Sequence, residues 1–252
     1  MAKLKPFGYQ LKVVQSGSMI QVYQYTDTQW RNLTSKGVSA SPPKDKLIDL
    51  DAVPVDERLK SRGKSNIRAR NHVMRLCRSN FTTMNSKFLT LTFKEPMTDI
   101  SLANKEFGRF MQNLKRNVGD KIIKYLAVIE FQKNGSIHYH ILINMPYIKQ
   151  DQLFKMWGRG SVTIKRIQRV ENLGLYLVKN MTVDDADPRM FGKRSYFPSR
   201  NLTKPKEFTG KRAEDILERL QKEGRKIAYS NTYKSKLQEN DIFYSEYHLE
   251  SL

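Results

Sequence analysis

Between Phe88 and Val178 the apolar residues change their spacing from two to about 3.6 and back, in an order that few folds accept. Phe88-Leu89-Thr90-Leu91-Thr92-Phe93 alternates apolar and polar positions, as a half-buried strand does. Ala103, Phe107, Phe110, Met111 and Leu114 then follow a helical period, behind Asp99 or Ser101, either of which can cap a helix. Residues 122–132 read as the next strand, Asn134-Gly135 is a hairpin turn signal, and 137–144 is the returning strand. A short helix carries Leu153, Met156 and Trp157 and stops at Gly158. Residues 161–167 form another strand and 171–181 another helix.

The order over 87–181 is therefore β-α-β-β-α-β-α. Its first six elements are the split βαβ repeat of a ferredoxin-like α+β fold, an antiparallel sheet whose third strand lies between the first and second. Both helices then cover one face, and the other face stays open for a ligand. Around this core, residues 9–26 form two alternating runs about Gly17, a hairpin. Residues 35–55 hold Gly37, Pro42, Pro43 and Pro54, a loop or linker. From Arg58 to Arg78 there are eight basic residues and no acidic one, on a helix expected to begin near Ser65. After 185 the chain turns basic and irregular, with a helix at 212–222. Three segments result: 1–84, the hairpin and basic helix on or beside the core; 85–185, the core; and 186–252, a basic C-terminal extension.

Charge narrows the partners. There are 45 Lys and Arg against 25 Asp and Glu, a formal net charge of +20. Such self-repulsion is best tolerated when a polyanion neutralises it, so nucleic acid is the expected partner; a solubility effect is the plainer alternative. The single cysteine, Cys77, excludes an intrachain disulfide and a cysteine-based zinc site, and suits a reducing cytosol. No apolar run approaches the roughly 18 residues of a membrane span, and the N-terminus lacks the apolar core of a signal peptide. A soluble, cytoplasmic protein without a membrane partner is expected. No phosphate-cradling Walker pattern occurs, so ATP-driven unwinding is not expected of this chain.

Two of the four histidines are His138 and His140. On a strand they share one face, about 7 Å apart. Ile137, Tyr139, Ile141 and Ile143 take the other face and pack on the helices, so the imidazoles occupy the ligand side, where they suit a metal ion. Glu130 lies among Ala127, Val128, Ile129 and Phe131, a costly place for a carboxylate unless it is paired, bound to a metal or exposed at an edge. A strict two-residue turn at Asn134-Gly135 would set Glu130 opposite Tyr139, on the helix side. For Glu130 to join the histidines, the loop must hold an odd number of residues or the hairpin a bulge. Tyr176 and Lys179, three apart, share one side of the last helix, with Leu175 and Val178 as its packing side.

Taken in order, Phe88-Leu89-Thr90-Leu91-Thr92-Phe93, Ile137-His138-Tyr139-His140-Ile141 and Leu175-Tyr176-Leu177-Val178-Lys179 resemble the three motifs of the HUH endonucleases, in particular the rolling-circle replication initiators (Rep) of bacterial plasmids and phages. The resemblance covers about 87–181. Many relatives carry a second tyrosine four residues after the first, where this chain has Asn180, so it implies a single-tyrosine enzyme. It implies that Glu130, His138 and His140 ligate Mn²⁺ or Mg²⁺, and that Tyr176 attacks a phosphate to give a 5′-phosphotyrosyl link and a free 3′-hydroxyl. A phenol is mostly protonated near neutrality, so a metal or a cation such as Lys179 must activate it, unless Lys179 holds the phosphate instead.

The implied partners are origin DNA, single-stranded at the nick and duplex or hairpin beside it, and a host helicase. Thr90 and Thr92, on the histidine side, could touch the single strand or simply form the polar face of the sheet. Lys165, Arg166, Lys193, Arg194 and Arg200, with the segment 58–78, are candidates for DNA backbone contacts. Tyr196 and Phe197 could stack on bases or belong to the core. Rival readings are a conjugative relaxase or single-strand transposase with the same chemistry, a non-catalytic ferredoxin-like single-strand binder, and a gene-regulatory DNA-binding protein. The oligomeric state is left open.

Overall fold

A computed structural model describes residues 6–31, 53–84, 86–119, 122–167, 174–234 and 241–249. The expected linker over 35–55 falls almost wholly outside them. In chain order the elements begin with β1 (Phe7–Ser16), β2 (Met19–Arg31), α1 (Val55–Asn80), β3 (Ser86–Phe93) and α2 (Ile100–Val118). Next come β4 (Lys124–Phe131), β5 (Ile137–Asn144), α3 (Gln150–Trp157), β6 (Gly160–Arg166) and α4 (Leu175–Val178). A 3-10 turn at Pro188–Met190 precedes β7 (Tyr196–Pro198), β8 (Lys206–Thr209), α5 (Lys211–Lys222), β9 (Ile227–Lys234) and β10 (Asp241–His248).

Two compact units result: Pro54–Lys204, and Met1–Val53 together with Pro205–Leu252. This division cuts across the three segments 1–84, 85–185 and 186–252. The reason is strand pairing, since the N-terminal hairpin cannot close a sheet alone. β8 pairs with β1, and β10 pairs with β2 and β9, giving the order β8-β1-β2-β10-β9. Val13, Ile20, Val22, Ala213, Leu220 and Tyr247 form the core between this sheet and α5.

The unit Pro54–Lys204 holds the second sheet, in the order β6-β3-β5-β4-β7 and antiparallel throughout. Its first four members are the ferredoxin-like arrangement, with β5 between β3 and β4. Asp99 caps α2, its Oδ1 accepting from the backbone N–H groups of Ser101 at 2.7 Å and Leu102 at 3.1 Å. Gly158, at φ 60°, ends α3 in the left-handed conformation that glycine adopts without strain. One face of the sheet buries Leu89, Leu91, Tyr139 and Ile141 against Phe107, Phe110, Leu114, Leu153 and Trp157 of α2 and α3.

The other face is not open. Val73, Leu76 and Cys77 of α1, with Leu177 and Val178 of α4, pack on Phe88, Leu126, Val128 and Leu142. The physical cause is the apolar stripe of α1, which needs a partner as much as the sheet does. That helix begins at Val55, not near Ser65. Gly63 accounts for the earlier start: a Cβ there would come within 2.9 Å of Val183 Cγ1 and 3.1 Å of the Val183 carbonyl, so only glycine allows this approach. The last helix is α4 alone, one turn long; residues 168–173 of the expected helix lie outside the described ones.

Candidate active site

The site begins with a register. Glu130 pairs directly with His138, and Phe131 with Ile137. The loop is odd, as a shared face requires: the Gln132 N–H donates to the Ser136 carbonyl at 2.8 Å, which leaves Lys133, Asn134 and Gly135 between them. Directly paired residues share a face, so Glu130, His138 and His140 stand together on the side away from α2 and α3. Ile137, Tyr139, Ile141 and Ile143 are fully buried on the helix side.

Each imidazole has a different environment. Thr90 Oγ1 is hydrogen-bonded to His140 Nδ1 at 3.1 Å, which turns Nε2 toward the Glu130 carboxylate, its partner. Phe88 stacks on the same ring at 5.7 Å. His138 is only 9% exposed, and its Nε2 is buried without a hydrogen-bond partner. A buried polar nitrogen left alone is costly, which marks it as a position meant to be filled. Burial, with the nearby His140, pushes the pKa of His138 down and favours the neutral ring that can bind a metal.

Glu130 collects three partners. Besides His140, its Oε1 accepts from Asn180 Nδ2 and lies 3.3 Å from Lys179 Nζ. The His140 hydrogen bond, joined by the charge of Lys179 and opposed by burial, holds this carboxyl down at about 2. Sequence marks Asn180 only by the lack of a second tyrosine there. Its amide explains the position, as a donor to the carboxylate.

Tyr176 is 45% exposed, and its ring lies 4.5 Å from Phe88 and 6.0 Å from His140, edge-on to both. Lys179 Nζ sits 5.3 Å from the centre of the same ring. The hydroxyl makes no hydrogen bond among the described residues. The segment is held there by α1. Gly174, at the start of α4, would carry a Cβ that collides with Met74 Sδ and comes 3.4 Å from Cys77 Cβ, so its bareness permits the close docking. Arg70 Nη1 donates to the Val178 carbonyl at 2.7 Å, and Asn66 Nδ2 to the Thr182 carbonyl at 3.1 Å. Two polar side chains of the segment 58–78 therefore position the stretch that carries the tyrosine.

The donor set can be tested for a metal by its chemistry. Two imidazoles and a carboxylate on adjacent strands, one nitrogen lacking any partner, fit a divalent ion. As they stand the three are not drawn together: among the described residues no three His, Cys, Asp or Glu side chains converge as a ligand group. Glu130 is turned to His140 and Asn180 rather than to His138.

The remaining candidates scatter. Thr92 pairs with His138 across the ladder, and its carbonyl accepts from Trp157 Nε1 at 2.9 Å. On the exposed edge strand β6, Lys165 pairs with Phe88 and so shares the histidine side, whereas Arg166 pairs with Lys87 on the opposite side. Lys193 and Arg194 are exposed just before β7, and Arg200 just after it. Tyr196 packs with the α1 side, near His72 at 5.9 Å, and Phe197 with Phe107 and Tyr139 on the helix side. No helix among the described residues is long and apolar enough to cross a membrane.

Residues 86–185, which contain every one of these histidine, glutamate and tyrosine positions, match a family model of replication-associated proteins of the ORF2 type. A curated relative, the Phasyl DNA replicon protein arp of Escherichia coli, is 42% identical over 60 residues. That stretch spans 23% of this chain and only 20% of the relative. No solved structure matches the chain. Over the part that carries the site, the chain is thus similar to replication-associated proteins, and both similarities support a replication initiator.

Proposed function

We propose that this protein initiates rolling-circle replication by nicking one strand of origin DNA and later rejoining it. The observation that carries the reading is the meeting of Tyr176, half-exposed and without a hydrogen bond at its hydroxyl, with the His140, Glu130 and Lys179 side chains. The similarity of residues 86–185 to replication-associated proteins supports the same class.

Glu130, His138 and His140 would hold a divalent ion, Mn²⁺ or Mg²⁺; such an ion polarises the scissile phosphate and stabilises its developing charge. Glu130 must then turn from His140 toward His138, whose Nε2 lacks a partner. Thr90 keeps His140 in the orientation that presents Nε2. The Tyr176 oxygen attacks phosphorus, its proton leaves to solvent or a basic group, and the bond to the 3′ oxygen breaks. A 5′-phosphotyrosyl ester and a free 3′-hydroxyl result. Attack by a 3′-hydroxyl on that ester reverses the step without ATP. Lys179, beside both the carboxylate and the phenol ring, screens negative charge as the phenol and phosphate approach.

The protein, Mn²⁺ and single-stranded origin DNA are incubated and denatured. A protein–DNA adduct that survives denaturation supports the nicking reading; Tyr176→Phe should form none. Binding without any adduct, under conditions that cut no DNA, would favour the non-catalytic single-strand binder instead.

A further inference from the structure

Next to Glu130 the sheet leaves a gap. β7 pairs with β4 only at Leu126, Ala127 and Val128, and the last contact is the Ile129 N–H to the Ser195 carbonyl at 3.4 Å. Beyond it lies a cleft of about 270 Å³, between Arg62 and Asn66 of α1 and the turn Asp184–Met190. The ladder alternates, so its direction at each residue is fixed. Ile129 N–H points to the outer edge and Gln132 N–H to the Ser136 side, which places the peptide N–H and C=O of Phe131 on the outer edge, toward the cleft.

The charge of the lining decides what fits. Four carboxylates line the cleft, Glu130, Asp184, Asp185 and Asp187, against Arg62 and Arg189. Arg189 is committed to Asp187 at 2.5 Å and lies flat over Phe131, 3.8 Å from the ring centre. Arg62 donates to the Lys193 carbonyl at 2.9 Å and to Ser195 Oγ at 2.6 Å. Asp185 accepts from the N–H and hydroxyl of Thr182. Asp184 is exposed and carries no hydrogen bond or ion pair among the described residues. A phosphate would be repelled here. A flat neutral ring that offers hydrogen-bond donors would be accepted, with the Phe131 peptide edge, Gln132 and Asp184 around it. The volume lies just below the roughly 300 Å³ at which drug-sized sites begin, which suits a single small ring system.

We propose that this cleft reads one nucleobase of the single strand beside the scissile phosphate, and that it selects a base with an exocyclic amine (cytosine, adenine or guanine) over thymine. The inference rests on the nicking reading for its substrate. Glu130 is the link, since it lines the cleft and also touches His140 and Lys179.

The test measures affinity, with cleavage removed. Tyr176→Phe protein is titrated by fluorescence anisotropy with single-stranded origin oligonucleotides, each carrying thymine at one successive position near the nick. One amine-bearing position should lose about tenfold in affinity when replaced by thymine, the size of a lost bidentate base contact. In the added presence of Asp184→Asn or Gln132→Ala that discrimination should shrink at this position alone. Equal responses of the parent and both variants at every position would overturn the proposal. Because no adduct is read, failure of the base selection and failure of the nucleophile assignment are separate results.

Discussion

The two faces of β5 are almost equally buried, yet they are built for different ends. On the helix side Ile137, Tyr139, Ile141 and Ile143 are fully enclosed, and the Tyr139 hydroxyl donates to Asn104 Oδ1 at 2.7 Å. Burial pushes that phenol far above its ordinary range. On the other side His138 and His140 are nearly as hidden, but His138 Nε2 has no partner and Glu130 stands against them. Burial alone therefore does not separate core from site. Satisfaction of polar atoms does: a finished core leaves none open, while the site leaves one nitrogen unpaired and one tyrosine half in solvent. The two tyrosines make the same point, since Tyr139 is bonded and enclosed whereas Tyr176 is free to move toward a phosphate.

That contrast can be broken from either side. His138→Ala should abolish cleavage of origin DNA in a gel assay while changing stability by less than about 1 kcal/mol, because it removes an unsatisfied group. Leu91→Ala, one strand away on the helix side, should do the reverse. It should lower unfolding free energy by about 2–5 kcal/mol in urea titrations, with cleavage by the folded fraction retained. Thr90→Val should slow cleavage by about 10–100-fold, as loss of a group that orients a ligand does, and should weaken metal affinity in step. A Thr90→Val protein with full activity would place Thr90 in the sheet's polar surface only.

Acid provides a smaller probe. Glu130 titrates near 2 when folded against an ordinary 4.5, so the stability it contributes is present above 4.5 and disappears as pH falls through about 2. In metal-free protein, Glu130→Gln should flatten the acid limb of the stability curve over that window. The smallest effect expected is between neighbours on β6. Lys165→Ala, on the histidine side, should weaken single-strand binding a few-fold and reduce its salt dependence, and Arg166→Ala should change either less.

Charge separates the two units as sharply as satisfaction separates the two faces. Pro54–Lys204 carries 29 Lys and Arg against 12 Asp and Glu, the rest of the chain 16 against 13. The overall excess seen in the composition thus belongs almost wholly to the unit with the site.

Much of that unit is legible in sequence because its strands and helices alternate at clean periods. The odd hairpin loop follows from the need to bring Glu130 beside the histidines. What escapes has no local signature. β9 is exposed along its whole length and carries Ser230, Asn231 and Thr232, so no apolar face announces it. It exists through pairing with β10, a partner beyond it in the chain. Arg70, Asn66 and Asn180 escape for a related reason. Each holds a carbonyl or carboxylate far away in sequence, and no spacing rule encodes such a bond. Gly63 hides the true start of α1, since a glycine required for a tertiary approach looks locally like a poor start for a helix.

The most direct measurement is the position of the covalent bond. The adduct formed with single-stranded origin DNA and Mn²⁺ is digested with nuclease and trypsin, and the peptides are read by mass spectrometry. A nucleotide phosphate on Tyr176, within the tryptic peptide 170–179, is the predicted result. The same mass on any other residue, with Tyr176 unmodified, would contradict the account.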